Sequence, residues 1–146
     1  MRRWRIYCPE ARRWSPPDKS LAFSSMVIIR EAADADLDAI CALGEEVNAI
    51  HHQAFPTIFA GAGSPKRDRA HWSSSIGKPD STCFVAEAAD ETVIGFVTTA
   101  VLDENHSLLR PSRFGRIGSV GVAARMRGQG IGTALMRQAE VWATHR

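Results

Sequence analysis

The segment VGVAARMRGQGIGT at residues 120–133 combines a strand, a basic turn and the start of a helix, and the fold prediction rests on it. Its valines alternate as in a strand, and Gly128, Gly130 and Gly132 then lead into an apolar pattern with helical spacing. The first N–H groups of a helix have no intrahelical partner, and the helix dipole is positive there. Glycines let an anion approach these groups closely. The segment therefore predicts a diphosphate site between a strand and a helix.

The charge pattern around this segment favours a polyanionic ligand. No Asp or Glu occurs between Asn105 and Ala139. Two common phosphate motifs do not fit, because a Walker loop needs Lys and then Ser or Thr after its last glycine, and a dinucleotide fingerprint needs GxGxxG rather than the GxGxG found here. The same stretch contains six arginines: Arg110, Arg113, Arg116, Arg125, Arg127 and Arg137.

The spacing of apolar residues predicts a mixture of strands and helices from residue 27 onward. Gly118 and Gly121 lie inside a predicted strand, where glycines often mark a bulge or a close contact. The expected elements are a strand at 27–30, a helix from about 34 to 50, a helix at 66–76, hairpin strands at 82–88 and 92–102, a loop at 103–114, a strand at 115–123 and a last helix at 131–144.

Composition places the chain among ordinary globular proteins. It has 146 residues, 45% hydrophobic and 23% charged, which predicts one domain with a normal core. It has no apolar run long enough for a membrane span or a secretory signal, so we expect a cytoplasmic protein without a membrane partner. Its three cysteines are far apart in sequence, and we expect them to be reduced thiols rather than disulfides.

Residues 1–26 differ from the rest of the chain. They carry a net charge of +4 and three prolines, and they predict a basic flexible arm before a domain at 27–146.

The sequence RGQGIG at residues 127–132 matches the Arg/Gln-x-x-Gly-x-Gly/Ala motif of the GNAT superfamily of N-acetyltransferases, and the predicted order of elements from about Met26 is similar to that family. The resemblance implies an α/β fold with a mixed, largely antiparallel sheet flanked by helices. The family continues after the third main helix with further strands and a fourth helix. Since the chain has none of these, we expect a truncated domain, or a homodimer that completes the sheet.

The resemblance also implies acetyl-CoA as the acetyl donor, a primary amine of a small molecule or protein as the acceptor, and no metal. Main-chain groups of Val120 and Val122 would pair with the pantetheine arm, and an N–H near them would polarise the thioester carbonyl. Their side chains are expected in the core. The family motif places the diphosphate on the backbone of Arg127, Gly128, Gln129, Gly130, Ile131, Gly132 and Thr133, with Arg127 adding charge.

The sequence does not identify a single general base that would remove the proton from the amine. Many relatives carry a Glu on the fourth strand, but Ser119 stands at that place here. His51 and His52, at the end of the first helix, are candidate bases, although a solvated helix end is the simpler interpretation. Four further residues are expected to be structural or solvated: Phe55 and Phe59 as core or loop anchors, and Asp103 and His106 as loop residues.

Two other functions remain open from the sequence. A domain without the last family elements could bind CoA or assemble with a partner while having little turnover. Alternatively, the basic arm and the face formed by Arg110 to Arg137 could bind nucleic acid, which is the partner we expect least.

Overall fold

A computed structural model describes residues 27–61, 63 and 65–146. The arm predicted at residues 1–26 lies outside the described residues. No helix in the described part has the length and apolarity needed to cross a bilayer. The elements are β1 (Val27–Glu31), α1 (Leu37–Ala54), α2 (Pro65–Ser73), β2 (Ser81–Ala88), β3 (Val93–Glu104), β4 (Ser112–Val122) and α3 (Ile131–Thr144), with short 3-10 turns at Asp34–Asp36 and Ala124–Met126.

The four strands form one antiparallel sheet in the order β1-β2-β3-β4. The α/β fold with a largely antiparallel sheet is therefore confirmed, as is the hairpin between β2 and β3. Among the described residues, β4 lies at one edge of the sheet. The homodimer expected to complete the sheet at this edge stays a prediction.

The helices pack on opposite faces of the sheet and form two separate cores. Successive residues of a strand point to opposite faces, so Phe84 packs with the α3 face and Val85 with the α1 face. On the first face, α3 buries Ile131, Leu135, Ala139 and Trp142. On the second face, Ile40 and Leu43 of α1 pack with Cys83, Val85 and Phe96.

Four details differ from the predictions. Helix α1 continues to Ala54 instead of ending near Ile50, and α2 ends at Ser73 instead of Ile76. The helical spacing of residues 131–144 also predicts Ala134 on the same apolar stripe as Ile131 and Leu135, but Ala134 is exposed. The predicted loop at 103–114 is shorter than expected: β3 continues to Glu104 and β4 begins at Ser112, so the loop covers only residues 105–111. This outer part of the hairpin is polar and largely exposed, so the apolar alternation that indicates a strand is missing there.

A charged network joins β1, β2 and the start of α1. The Arg30 guanidinium donates from Nε to Glu87 at 2.8 Å and from its two Nη atoms to the Asp36 carboxylate at 2.7 and 2.9 Å. Asp36, which is buried, also accepts the Ala33 N–H at 2.8 Å. The adjacent Arg30 cation lowers the pKa of the Asp36 carboxyl, and both carboxylates raise the pKa of Arg30.

We predict that Asp36 makes the fold sensitive to acid. Because its folded pKa lies below the ordinary value of about 3.9, its contribution to stability is present above that value and is lost as the pH falls through the lower folded pKa. The free energy of unfolding should therefore fall less between about pH 5 and pH 2 in Asp36→Asn than in wild type. Urea unfolding across this range measures the difference.

Asp34→Asn, which removes an exposed carboxylate from the same 3-10 turn, is the matched control and should retain the wild-type pH dependence. Equal acid sensitivity of wild type and Asp36→Asn would contradict the assignment.

Candidate functional site

The turn before α3 depends on two glycines with left-handed backbone conformations. Gly128 has φ 76° and Gly130 has φ 82°, a region that side chains with a Cβ disfavour. A Cβ at either position would meet no atom within 4 Å, so conformation rather than crowding requires glycine. These two residues reverse the chain between the 3-10 turn and α3.

The first turn of α3 offers unpaired main-chain donors. Gly130 is the N-cap residue, and no side chain caps the helix. The first helical hydrogen bond runs from the Ala134 N–H to the Gly130 carbonyl at 3.0 Å. The N–H groups of Ile131, Gly132 and Thr133 therefore have no partner within the helix. Such donors are able to bind an anion, and the diphosphate expected at residues 127–133 stays a prediction.

The outer edge of β4 presents main-chain groups next to this turn. The Ala123 N–H donates to the Ile94 carbonyl at 2.9 Å, and the register pairs Val122 with Gly95. In an antiparallel ladder the direction of main-chain groups alternates, so those of Val120 and Val122 point away from β3. The Val122 side chain packs against the core, but Val120 is 40% exposed, so the expectation of a core side chain is wrong for Val120.

A bulge in β4 precedes these two valines. The register pairs Val97 with Val120 and Thr99 with Ile117, which leaves Gly118 and Ser119 opposite the single residue Thr98. The Ser119 N–H donates to Thr98 Oγ1 at 2.9 Å. A Cβ at Gly118 would lie only 2.6 Å from that oxygen, so this position needs glycine. Of the two interpretations offered for the glycines in this strand, a bulge and a close contact, the structure shows both at Gly118.

Arg127 is held by two acceptors. Its Nε donates to the Val122 carbonyl at 2.9 Å, and its Nη2 donates to Glu46 Oε2 at 3.3 Å. The same Glu46 oxygen accepts the Ala124 N–H at 3.3 Å. Sequence reasoning missed Glu46, because a glutamate on the polar side of an amphipathic helix carries no signal for a partner 81 residues away. The direct contact of Arg127 with a phosphate stays a prediction.

His51 and His52 lie in the last turn of α1 and hold the segment that follows. The His51 ring stacks on Phe59 with centroids 4.7 Å apart, and His52 Nδ1 lies 2.8 Å from the Phe59 carbonyl oxygen. The expectation that Phe59 anchors the loop is confirmed, whereas Phe55 is 57% exposed. The structure thus gives both histidines an anchoring role, and a role as general base stays a prediction.

The end of α1 lies toward the outer edge of β4. Residues early in α1 pack on β2 and β3, whereas Val47 reaches β4, since a Cβ at Gly121 would lie 3.2 Å from Val47 Cγ2. His51 follows Val47 by one helical turn in the same direction. The β4 edge is therefore flanked by the end of α1 on one face and the start of α3 on the other.

Asp103 and His106 are distant from this edge site. Asp103 lies on β3 and not in a loop, where it pairs with Arg113 at the far end of the β3–β4 ladder. His106 Nδ1 accepts the Leu108 N–H and stabilises the intervening loop. Cavities of about 530 and 420 Å³ also lie elsewhere, around Trp142 and around Asp80. The candidate site is an open strand edge rather than a closed cavity.

The other reactive side chains do not indicate a second chemistry. Burial raises the pKa of the Cys83 thiol to about 12, so this cysteine is protonated and unsuited to nucleophilic attack. Within residues 27–61, 63 and 65–146, no group of three or more His, Cys, Asp and Glu side chains is arranged to hold a metal ion.

The Thr98 hydroxyl should be needed for the bulge. We expect Thr98→Val to leave the partly buried Ser119 N–H without its acceptor and to lower the free energy of unfolding by about 1–3 kcal/mol. Thr98→Ser keeps the oxygen and should lose less. Urea unfolding of both variants measures this, and a loss in Thr98→Ser as large as that in Thr98→Val would contradict a specific need for the hydroxyl.

Several solved structures with the same fold are acetyltransferases. An acetyltransferase from Vibrio fischeri has a TM-score of 0.63 and 23% identity, over 81% of this chain and 87% of that one. An aminoglycoside antibiotic 6'-N-acetyltransferase from Acinetobacter haemolyticus has a TM-score of 0.62 and 20% identity, over 81% and 72%. Another aminoglycoside N-acetyltransferase, solved in complex with CoA, has a TM-score of 0.59 and 18% identity, over 82% and 70%.

Sequence comparison agrees with the fold. A comparison with curated proteins found no match. The model of the acetyltransferase (GNAT) family matches residues 45–146, which include most of α1, the β4 edge, the glycine turn and α3. The chain therefore belongs to the GNAT family of acetyltransferases.

Proposed function

We propose that this chain transfers an acetyl group from acetyl-CoA to a primary amine of a small molecule or protein. The observation that carries the proposal is the unpaired N–H groups at the start of α3 beside the outward main-chain groups of Val120 and Val122. In acetyl-CoA the diphosphate would bind the N–H groups of the helix, and the amide groups of the pantetheine arm would pair with the main chain of β4. The structural relative solved with CoA supports the choice of donor.

In this proposal the glycine turn binds the donor's diphosphate. The N–H groups at residues 131–133 would donate to phosphate oxygens, and the absence of a Cβ at Gly128 and Gly130 keeps the approach open. The exposed side chains of Gln129 and Thr133 can add hydrogen bonds. The amide groups of the pantetheine arm would extend the sheet along Val120 and Val122.

The reaction joins the amine to the acetyl carbonyl. The nitrogen lone pair attacks the thioester carbon, the C–N bond forms, the C–S bond breaks, and the proton lost by the amine is finally taken up by the thiolate. An outward N–H at Val120 or Val122 would stabilise the charge on the carbonyl oxygen. The amine must first be neutral, because an alkylammonium has a pKa of about 10 and no free lone pair.

The groups around the acceptor are proposed from their positions at the β4 edge. His51 and His52 are candidates to remove the amine proton, directly or through water, and Ser119 can orient the acceptor by a hydrogen bond. Structural relatives that act on aminoglycosides support an amine as the class of acceptor. Substrate positioning and carbonyl polarisation would then provide most of the rate acceleration.

The substitution Gly132→Asp tests the donor site without disturbing the fold. A Cβ at Gly132 would make only an ordinary contact of 3.8 Å with Val122 Cγ2, and an acidic residue in the first turn favours the helix dipole. The folded state should therefore keep its stability, whereas the added charge repels the diphosphate. We expect acetyl-CoA affinity, measured by titration calorimetry, to fall by about tenfold or more.

The control is Gly132→Ala, which should bind acetyl-CoA like wild type. Unchanged affinity in Gly132→Asp would show that the diphosphate does not bind at this turn. Release of CoA thiol in the presence of a panel of primary amines then tests transfer. Binding without release by any amine would identify a CoA-binding module instead of an enzyme.

A further inference from the structure

Glu46 connects α1 to the strand–turn segment through one carboxylate oxygen. Glu46 Oε2 accepts hydrogen bonds from the Ala124 N–H and from Arg127 Nη2, both at 3.3 Å. Arg127 Nε in turn donates to the Val122 carbonyl at 2.9 Å. The three contacts form one ring that joins the end of β4, the 3-10 turn and the residue before the glycines.

The place of Glu46 in this ring is fixed by the packing of α1. Its neighbour Val47 lies against Gly121 of β4. Two residues earlier, Gly44 lies under the Trp72 ring, where a Cβ would be 2.5 Å from Trp72 Cζ2. The helix therefore has little freedom to move relative to β4, and the carboxylate is held next to Arg127 by the backbone that carries it.

The ring uses groups that the proposed donor needs. The Val122 carbonyl points to the outer edge of β4, where the pantetheine arm would pair, but Arg127 Nε already bonds to it. The positive charge of Arg127 would attract a diphosphate, but Arg127 already forms an ion pair with Glu46. Binding of acetyl-CoA at this edge thus requires Arg127 to release at least one of these two acceptors.

We propose that Glu46 is a positioning residue that acts through Arg127, holding the guanidinium on the Val122 carbonyl until the donor's diphosphate takes it over. This inference rests on the proposed function. Both partners of the ion pair are 45% exposed, and such pairs are weak, so a phosphate can replace the carboxylate. Glu46 therefore lowers the affinity for acetyl-CoA by reducing the fraction of protein in which Arg127 is released.

The test compares acetyl-CoA binding by wild type, Glu46→Gln and Glu45→Gln in titration calorimetry. Gln at position 46 keeps an oxygen for the Ala124 N–H but loses the charge that holds Arg127. We expect its Kd to be about two- to five-fold lower than that of wild type. Glu45 has no hydrogen bond or ion pair within the described part of the chain, so Glu45→Gln reports the general effect of removing one negative charge and should change Kd less.

A double-mutant cycle shows whether the effect passes through Arg127. In an Arg127→Ala background, Glu46→Gln should change Kd no more than Glu45→Gln does. The inference is overturned if Glu46→Gln binds more weakly than wild type, if it only equals Glu45→Gln, or if its effect persists without Arg127. A purely structural role for Glu46 would give weaker binding together with lower stability in urea.

These outcomes distinguish the two proposals. If wild type binds acetyl-CoA but Glu46→Gln fails to tighten binding, the positioning role is wrong and the proposed function stands. If wild type does not bind acetyl-CoA, both are wrong.

Discussion

The register between β3 and β4 is the constraint on which the site depends. The hydrogen bond from the Ala123 N–H to the Ile94 carbonyl fixes which residues of β4 face β3 and which face outward. A shift of one residue would turn the main chain of Val120 and Val122 inward and reverse the faces of their side chains. The bulge at Gly118 and Ser119 determines that regular pairing with β3 resumes at Val120 and continues to Val122. The edge that we assign to the donor exists only in this register.

The two helices at this edge hold that register from opposite sides. Val47 of α1 lies against Gly121 of β4, next to the ring of Phe96 from β3, and a Cβ at Gly121 would be 3.2 Å from Val47 Cγ2 and 2.6 Å from the Phe96 ring. On the other face, Ile131 is buried at the first position of α3, and so the glycine turn is drawn toward the end of β4. The donor turn therefore has its position because the residue directly after Gly130 belongs to the core.

Local patterns predicted the parts of the molecule that local physics determines. The glycines at 128 and 130 indicated the turn, the spacing of Ile131, Leu135 and Ala139 indicated α3 with its observed ends, and Gly118 indicated the bulge. The outer ends of β3 and β4 around Asp103 and Arg113 were missed because this part of the ladder is exposed and carries an ion pair, so it shows no apolar alternation.

The contacts between distant segments could not be predicted in the same way. Nothing near Glu46 in sequence indicates Arg127 as its partner, and nothing near His52 indicates that its ring meets the Phe59 carbonyl. Such pairs result from where α1 lies on the sheet, which the position of Trp72 against Gly44 helps to determine. The residues of the site could be named from the family motif, but their partners needed the fold.

The separation of the two cores by the sheet has a consequence for how the protein can change over time. Side chains under α3 and side chains under α1 share few neighbours, since they lie on opposite faces. Substitutions in distant, independent groups add in free energy to within about 0.5 kcal/mol. A substitution in the core under α1 should therefore cost about the same free energy whether or not the core under α3 has already changed.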